Sequence, residues 1–243
     1  MLQAIAFDLD GTLVDFLRFK EIAARSAALA MVDAGLDMDP ALAEERLWDV
    51  YKACGLDGDV AFERFLQTTA GHVDPRVLFA GIRGYQRVKD ALLEPYPRAT
   101  WTLQELGRRG LTLAIITDAE RPKALHRLAA ARLLPFFDTV ITLDDTLQGK
   151  ADEMPYRQLL RKLALQPRDV LMVGDNPSRD VRPARKLGLW TAQALYGAQP
   201  HYATAFPFDQ PDFKLRRIDE LVAVVDQLRA PPAPASGLES ATA

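Results

Sequence analysis

Short apolar runs, each halted by aspartate, threonine or glycine, alternate along most of this 243-residue chain with longer stretches whose apolar residues recur every three or four positions. The runs read as strands and the longer stretches as helices. Ala4-Ile5-Ala6-Phe7 is the first run, leading into Asp8-Leu9-Asp10-Gly11-Thr12-Leu13. An unbroken apolar run of this length suits a central parallel strand covered on both faces.

From about Asp15 to Leu93 no strand pattern appears, and four amphipathic helices are predicted instead. Ile22, Ala23, Ser26, Ala27, Ala30 and Met31 mark the first. Asp39-Pro40 supplies an N-cap and a first-turn proline for the second, which continues through Leu47, Val50 and Tyr51. Asp59 is placed to cap a third with Val60, Phe62, Phe65 and Leu66, and Asp74-Pro75 opens a fourth with Val77, Leu78, Gly81, Ile82, Tyr85 and Val88.

Glu94-Pro95-Tyr96-Pro97 ends that block, because paired prolines disfavour a continuing helix. Helix and strand then alternate: a helix over Ala99 to Arg108, a strand over Leu111 to Ile116, a helix around Leu125, Leu128 and Ala129, and a strand at Val140-Ile141. Tyr156, Leu159, Leu160 and Leu163 form a helical face ahead of the strand Val170 to Val173. A helix from Ser178 to Leu187, a strand around Trp190 to Leu195 and a helix over Ile218 to Leu228 complete the pattern. Such alternation implies an α/β fold, a Rossmann-like parallel sheet with helices on both faces. The all-helical block makes a separate inserted domain. The expected division is residues 1–14 and 94–229 for the sheet domain, 15–93 for the helical insert, and 230–243 for a disordered tail rich in proline and poor in apolar residues.

Composition narrows the partners. A net charge of −3, with no cluster of lysines and arginines, gives no electrostatic footprint for nucleic acid or an anionic membrane. Cys54 is the single cysteine, so neither an intrachain disulfide nor a cysteine-based zinc cluster is possible. Without a long apolar span or a signal-like start, a cytoplasmic location is expected.

The polar residues that stop the strands carry the candidate chemistry. Residues i and i+2 of an extended chain face the same side, so Asp8 and Asp10 can converge where Gly11 turns the backbone away. Leu113-Ala114-Ile115-Ile116 stops at Thr117-Asp118, Val140-Ile141 is followed by Asp144, Asp145 and Lys150, and Val170 to Val173 stops at Gly174-Asp175, with Asp180 five residues on. If the strands are parallel, Asp8, Asp10, Thr117, Lys150, Asp175 and Asp180 share one sheet edge. Ligands of open α/β sheets collect there, and clustered carboxylates suggest a metal-assisted site.

These four segments resemble the motifs of the haloacid dehalogenase-like hydrolase superfamily. Asp8-Leu9-Asp10-Gly11-Thr12-Leu13 is similar to its first motif and Thr117 to its second. Lys150 with Tyr156 beyond it is similar to the third, and Gly174-Asp175-Asn176-Pro177-Ser178-Arg179-Asp180 to the fourth. The resemblance spans residues 1 to 228 and implies a mobile helical cap between the first and second motifs. It also implies a central first strand flanked by those bearing Thr117 and Asp175.

By the same resemblance Asp8 is the nucleophile that becomes an aspartyl phosphate, and Asp10 protonates the leaving oxygen and then deprotonates the attacking water. Thr117 donates to a phosphoryl oxygen, Lys150 neutralises charge, and Gly11, Thr12 and Asp118 lie against the substrate. A hard cation, Mg²⁺, is expected on Asp8, the Asp10 backbone carbonyl and Asp175, with Asp180 either a ligand or an orienting group. Two positions depart from the family pattern. Asp118 stands where Asn is usual, and Ala151, Asp152 and Glu153 replace the prolines usual after the lysine, so that these acids either pair with Lys150 or reshape its loop.

Asp10 favours phosphoester hydrolysis over dehalogenation, because related dehalogenases lack that second carboxylate. The expected function is a phosphatase acting on a small phosphorylated metabolite. A phosphomutase and a silent binding protein on the same fold are the alternatives. Substrate choice is assigned to the cap, where Lys52, Arg64, Arg76, Arg83, Arg87 and Lys89 are cationic and Trp48, Tyr51, Phe62 and Phe65 are aromatic. These read first as solvated faces and helical core, respectively. Hinges are expected at Val14 to Phe16 and Leu93 to Pro97. His72, His126 and His201, isolated in sequence, receive no catalytic role.

Overall fold

A computed structural model describes residues 1–54, 60–199, 202 and 206–230. In chain order the elements are Ala4–Phe7 (β1), Phe16–Asp33 (α1), Pro40–Cys54 (α2), Ala61–Ala70 (α3), Pro75–Leu92 (α4), Ala99–Arg108 (α5) and Thr112–Ile116 (β2). They continue as Arg121–Ala130 (α6), Thr139–Ile141 (β3), Leu143–Thr146 (α7), Met154–Leu163 (α8), Val170–Gly174 (β4), Arg182–Leu187 (α9), Trp190–Ala194 (β5), Phe213–Leu215 (β6) and Leu221–Arg229 (α10). Asp59, His201 and the tail after Ala230 lie outside the described residues.

All six strands run parallel in the order β3-β2-β1-β4-β5-β6. The first strand is therefore central, with β2 and β4 beside it. Its alternating side chains separate two cores. Ile5 and Phe7 join Leu103, Leu106 and Leu128 and the C-terminal helix residues Leu221 and Val225 on one face. Ala4 and Ala6 join Tyr156, Leu159 and Ala184 on the other. Burying a side chain such as Phe7 contributes about 1.5–3 kcal/mol, so both faces reward the same register.

Helices α1 to α4 enclose a cluster of their own, including Ala27, Met31, Leu47, Tyr51, Phe65 and Leu66, with Trp48 and Phe62 packed against it. Trp48, Tyr51, Phe62 and Phe65 thus belong to the helix core or pack against it, while Phe79 on α4 is exposed. Ser26 on α1 donates to the Gly84 carbonyl on α4 at 2.8 Å, tying the two longest helices. Asp74 caps α4 by accepting from Arg76 N, as its Asp-Pro signature predicts. Where the chain enters and leaves the block the two crossings are paired: Val14 bridges Pro95, and Tyr96 N donates to Leu13 O at 2.9 Å.

Three elements differ from the sequence reading, one of them the short helix α7, which has no counterpart in it. The stretch read as one helix from Ser178 is a single π turn over Pro177–Val181 followed by α9. Pro177 and Pro183 both sit in first turns there. The edge strand β6 escaped the pattern, being three residues long with Lys214 exposed between Phe213 and Leu215.

Candidate active site

The ends of β1, β2 and β4 meet at one edge of the sheet. Asp8 follows β1 directly, and its N–H donates to Val173 O on β4 at 2.8 Å, which fixes its backbone. Gly11 then turns the chain at φ +78°, a region open to glycine. A β-carbon there would lie 2.5 Å from Asp175 Oδ2, so the turn and the fourth-motif carboxylate are packed against each other. Thr12 is fully buried, and its carbonyl accepts from Tyr196 OH at 2.9 Å.

Asp8, Asp175 and Asp180 bring carboxylate oxygens within 4.8 Å of one another, and all three are buried. Lys150 Nζ pairs with Asp8 and with Asp180 Oδ1, the latter at 2.7 Å. Burial, with the neighbouring carboxylates, raises the pKa of each acid. Asp175 is pushed up to about 9, by desolvation first and then by Asp8 and Asp180. Asp180 rises to about 6, desolvation outweighing the Lys150 charge. Lys150 is pushed upward by Asp180 and Asp8 against its own desolvation.

Three buried carboxylates thus cluster beside one ammonium, which pairs with two of them. An all-oxygen donor set with excess negative charge fits a hard divalent cation, which would offset the burial and the mutual repulsion that lift these pKa values. Asp180 is oriented from two sides, its Oδ2 accepting from Asn176 N at 2.9 Å while Oδ1 faces Lys150.

Thr117 caps β2, its N–H donating to Ile141 O at 3.0 Å and its Oγ1 accepting from Ala119 N at 3.2 Å. Next to it Asp118 holds the lysine loop. Its Oδ1 accepts from Lys150 N at 2.6 Å, and its Oδ2 pairs with Arg179 at 3.0 Å. The acids after Lys150 do not pair with its ammonium. Asp152 accepts from Met154 N at 2.8 Å and Glu153 pairs with Arg157 at 2.8 Å, so both serve the start of α8. The loop in this chain is pinned from Asp118 instead.

Asp10 stands apart from the carboxylate trio. Its Oδ2 pairs with Arg127 of α6, whose guanidinium carbon lies 4.2 Å from the centre of the Phe16 ring. The sequence reading missed Arg127, since a cation on a helix ordinarily faces solvent. It also missed Arg179 as the partner of Asp118, although Arg179 lies inside the fourth motif. The buried Tyr156 donates to the Arg179 carbonyl at 2.5 Å and so steadies that motif from α8. His72 lies on the surface beside the Ala70 carbonyl, away from these groups.

Residues 5–194 match the family of haloacid dehalogenase-like hydrolases, and the chain belongs to that family. Among characterised relatives it is 35% identical over 229 residues to the glyceraldehyde 3-phosphate phosphatase of Methanocaldococcus jannaschii, covering 94% of this chain and 99% of the relative. It is 30% identical to the phosphoglycolate phosphatase of Yersinia pseudotuberculosis, over 92% and 93% of the two chains. In fold it is similar to the HAD-hydrolase YfnB of Bacillus subtilis bound to magnesium, with a TM-score of 0.68 at 19% identity over 93% of this chain and 99% of that one.

Proposed function

We propose that this protein is a Mg²⁺-dependent phosphatase that hydrolyses a phosphomonoester of two or three carbons through an aspartyl phosphate on Asp8. The observation that carries the reading is the buried trio Asp8, Asp175 and Asp180 at the sheet edge, two of them paired with Lys150, with Asp10 two residues beyond the nucleophile. The relatives named for glyceraldehyde 3-phosphate and for phosphoglycolate support the size of the substrate.

In the first step a carboxylate oxygen of Asp8 attacks phosphorus and the bond to the alcohol oxygen breaks, Asp10 delivering a proton to that oxygen. In the second, Asp10 takes a proton from water as the water oxygen attacks phosphorus, and the bond to Asp8 breaks to release inorganic phosphate. Lys150 offsets charge on Asp8 and the phosphoryl oxygens, and the Thr117 hydroxyl donates to one of them. The Gly11-Thr12 turn lies against the phosphate through its backbone, since the Thr12 side chain is buried.

Asp8, the Asp10 carbonyl and Asp175 would hold Mg²⁺, which when bound supplies the positive charge that lets a phosphate dianion approach this acidic edge. Both oxygens of Asp180 are engaged by Lys150 and Asn176, which supports an orienting role for it. Asp118 acts through Lys150 in this reading.

Helices α1 to α4 serve as a cap that closes over the edge and excludes water. The paired crossings at Val14 and Pro95 are its hinges, and residues 1–14 and 94–229 are the core domain. A cytoplasmic setting fits a chain with one cysteine.

Phosphate release from a panel of small phosphomonoesters, with Mg²⁺ and with chelator, tests the proposal. Release that needs both Mg²⁺ and Asp8, and is lost in Asp8→Asn, is the expected result. A folded, Mg²⁺-binding protein that releases phosphate from none of them overturns it.

A further inference from the structure

Asp10 must move a proton twice, so its position relative to the leaving oxygen matters more than its mere presence. Errors of about 1 Å in such groups cost about 100-fold in rate. Its backbone is held at the Gly11 turn by a bridge to Val14, so the orientation of the carboxylate itself depends on side-chain contacts.

Arg127 supplies one such contact. This residue is 5% exposed, an unusual depth for an arginine on a surface helix. Its guanidinium pairs with the Asp10 carboxylate through Nη1 and lies over the Phe16 ring. A planar, permanently charged fork gripped by a carboxylate and an aromatic ring has little rotational freedom. Phe16 is the first residue of α1, the helix that carries the chain into the helical block, and it packs on Phe19 with ring centres 5.6 Å apart.

We propose that Arg127 is a positioning residue for the acid–base carboxylate: it holds Asp10 in its working orientation and, through Phe16, ties that orientation to the first turn of α1. The proposal rests on the acid–base reading of Asp10. It adds a dependence on where α1 begins, so that proton transfer is competent only when the helical block is seated on the core. Catalysis and cap position are then linked through one side chain rather than through the phosphate site.

A buried ion pair can also be purely structural, in which case its loss lowers stability and leaves the chemistry of the folded fraction unchanged. A double-mutant cycle separates the two. Arg127→Ala, Arg127→Gln, Asp10→Asn and Asp10→Asn/Arg127→Ala are compared with the native chain, with Mg²⁺, on 2-phosphoglycolate and p-nitrophenyl phosphate. Near-UV circular dichroism reports the folded fraction of each. Arg127→Gln keeps most of the side-chain volume and remains informative if the alanine variant fails to fold.

The expected result is a loss in kcat of about 100-fold for either Arg127 variant, with KM changed less than about threefold. Free guanidinium ion restores part of the Arg127→Ala rate, and Arg127→Ala adds less than about threefold to the loss already caused by Asp10→Asn. Native kcat in the Arg127 variants overturns the proposal, and so does an equal further loss on the Asp10→Asn background. Undiminished turnover of Asp10→Asn itself overturns the acid–base reading instead, so the two failures are told apart.

Discussion

Lys150 and Asp180 form a buried pair in which Nζ lies 2.7 Å from Oδ1, and the same ammonium also faces Asp8. One cation thus links Asp8 of the first motif to Asp180 of the fourth, across the central strand pair β1–β4. Replacing it with Lys150→Met removes the cation paired with Asp8 and Asp180. Turnover is expected to fall by about 10²–10³, while Mg²⁺ affinity stays the same or tightens because a competing cation is gone. Phosphate-release kinetics alongside a Mg²⁺ titration check both halves, and normal turnover contradicts the role given to Lys150.

The raised pKa of Asp175, about 9, has a consequence for metal binding. At pH 7 the metal-free carboxyl carries a proton that a dication must displace, so binding is expected to release about one proton. Isothermal titration in buffers of different ionisation enthalpy measures that number. Because the folded value lies above the unfolded one, the contribution of Asp175 to stability is full below pH 3.8 and is lost as pH rises through about 9. The melting temperature of the metal-free chain should therefore fall between about pH 6 and about pH 9, and Mg²⁺ should flatten that slope.

Gly174 ends β4 with the Asp180 side chain folded over it. A β-carbon there would sit 2.3 Å from Asp180 Cγ. Gly174→Ala is expected to destabilise the fold by about 1–3 kcal/mol and to weaken Mg²⁺ binding by displacing Asp180 from Lys150. Urea denaturation and a Mg²⁺ titration measure these, and a variant with native values for both contradicts the packing described.

Asp118 acts through the backbone of Lys150. Asp118→Asn retains an acceptor for Lys150 N and loses only the charge on Arg179, so kcat/KM is expected to stay within about tenfold of native. Asp118→Ala removes the acceptor and frees the lysine loop, and should fall further. Equal losses in the two variants would place the importance of Asp118 in its charge rather than in the hydrogen bond.

The strand ends that build the site were legible because burial leaves sharp marks: an apolar run covered on both faces can carry polar residues only where it stops. Ala4–Phe7 and Val170–Gly174 follow that rule, and their parallel pairing brings Asp8 and Asp175 together. β6 did not, since an edge strand of three residues with Lys214 in its middle has no pattern to read. The π turn at Pro177 was hidden by prolines that suit the start of an α-helix equally well. Arg127 was invisible for a different reason. It lies 117 residues from Asp10, and nothing on its own helix distinguishes a buried cation from a solvated one.

The most direct test of the chemistry is to trap the covalent intermediate. Enzyme quenched during turnover with Mg²⁺ and 2-phosphoglycolate is reduced with borohydride, which converts an aspartyl phosphate to homoserine, and the peptide containing Asp8 is read by mass spectrometry. Conversion at Asp8 in the native chain and none in Asp8→Asn is the expected outcome. Turnover without conversion at Asp8, or conversion at another acid, contradicts an aspartyl phosphate on this residue.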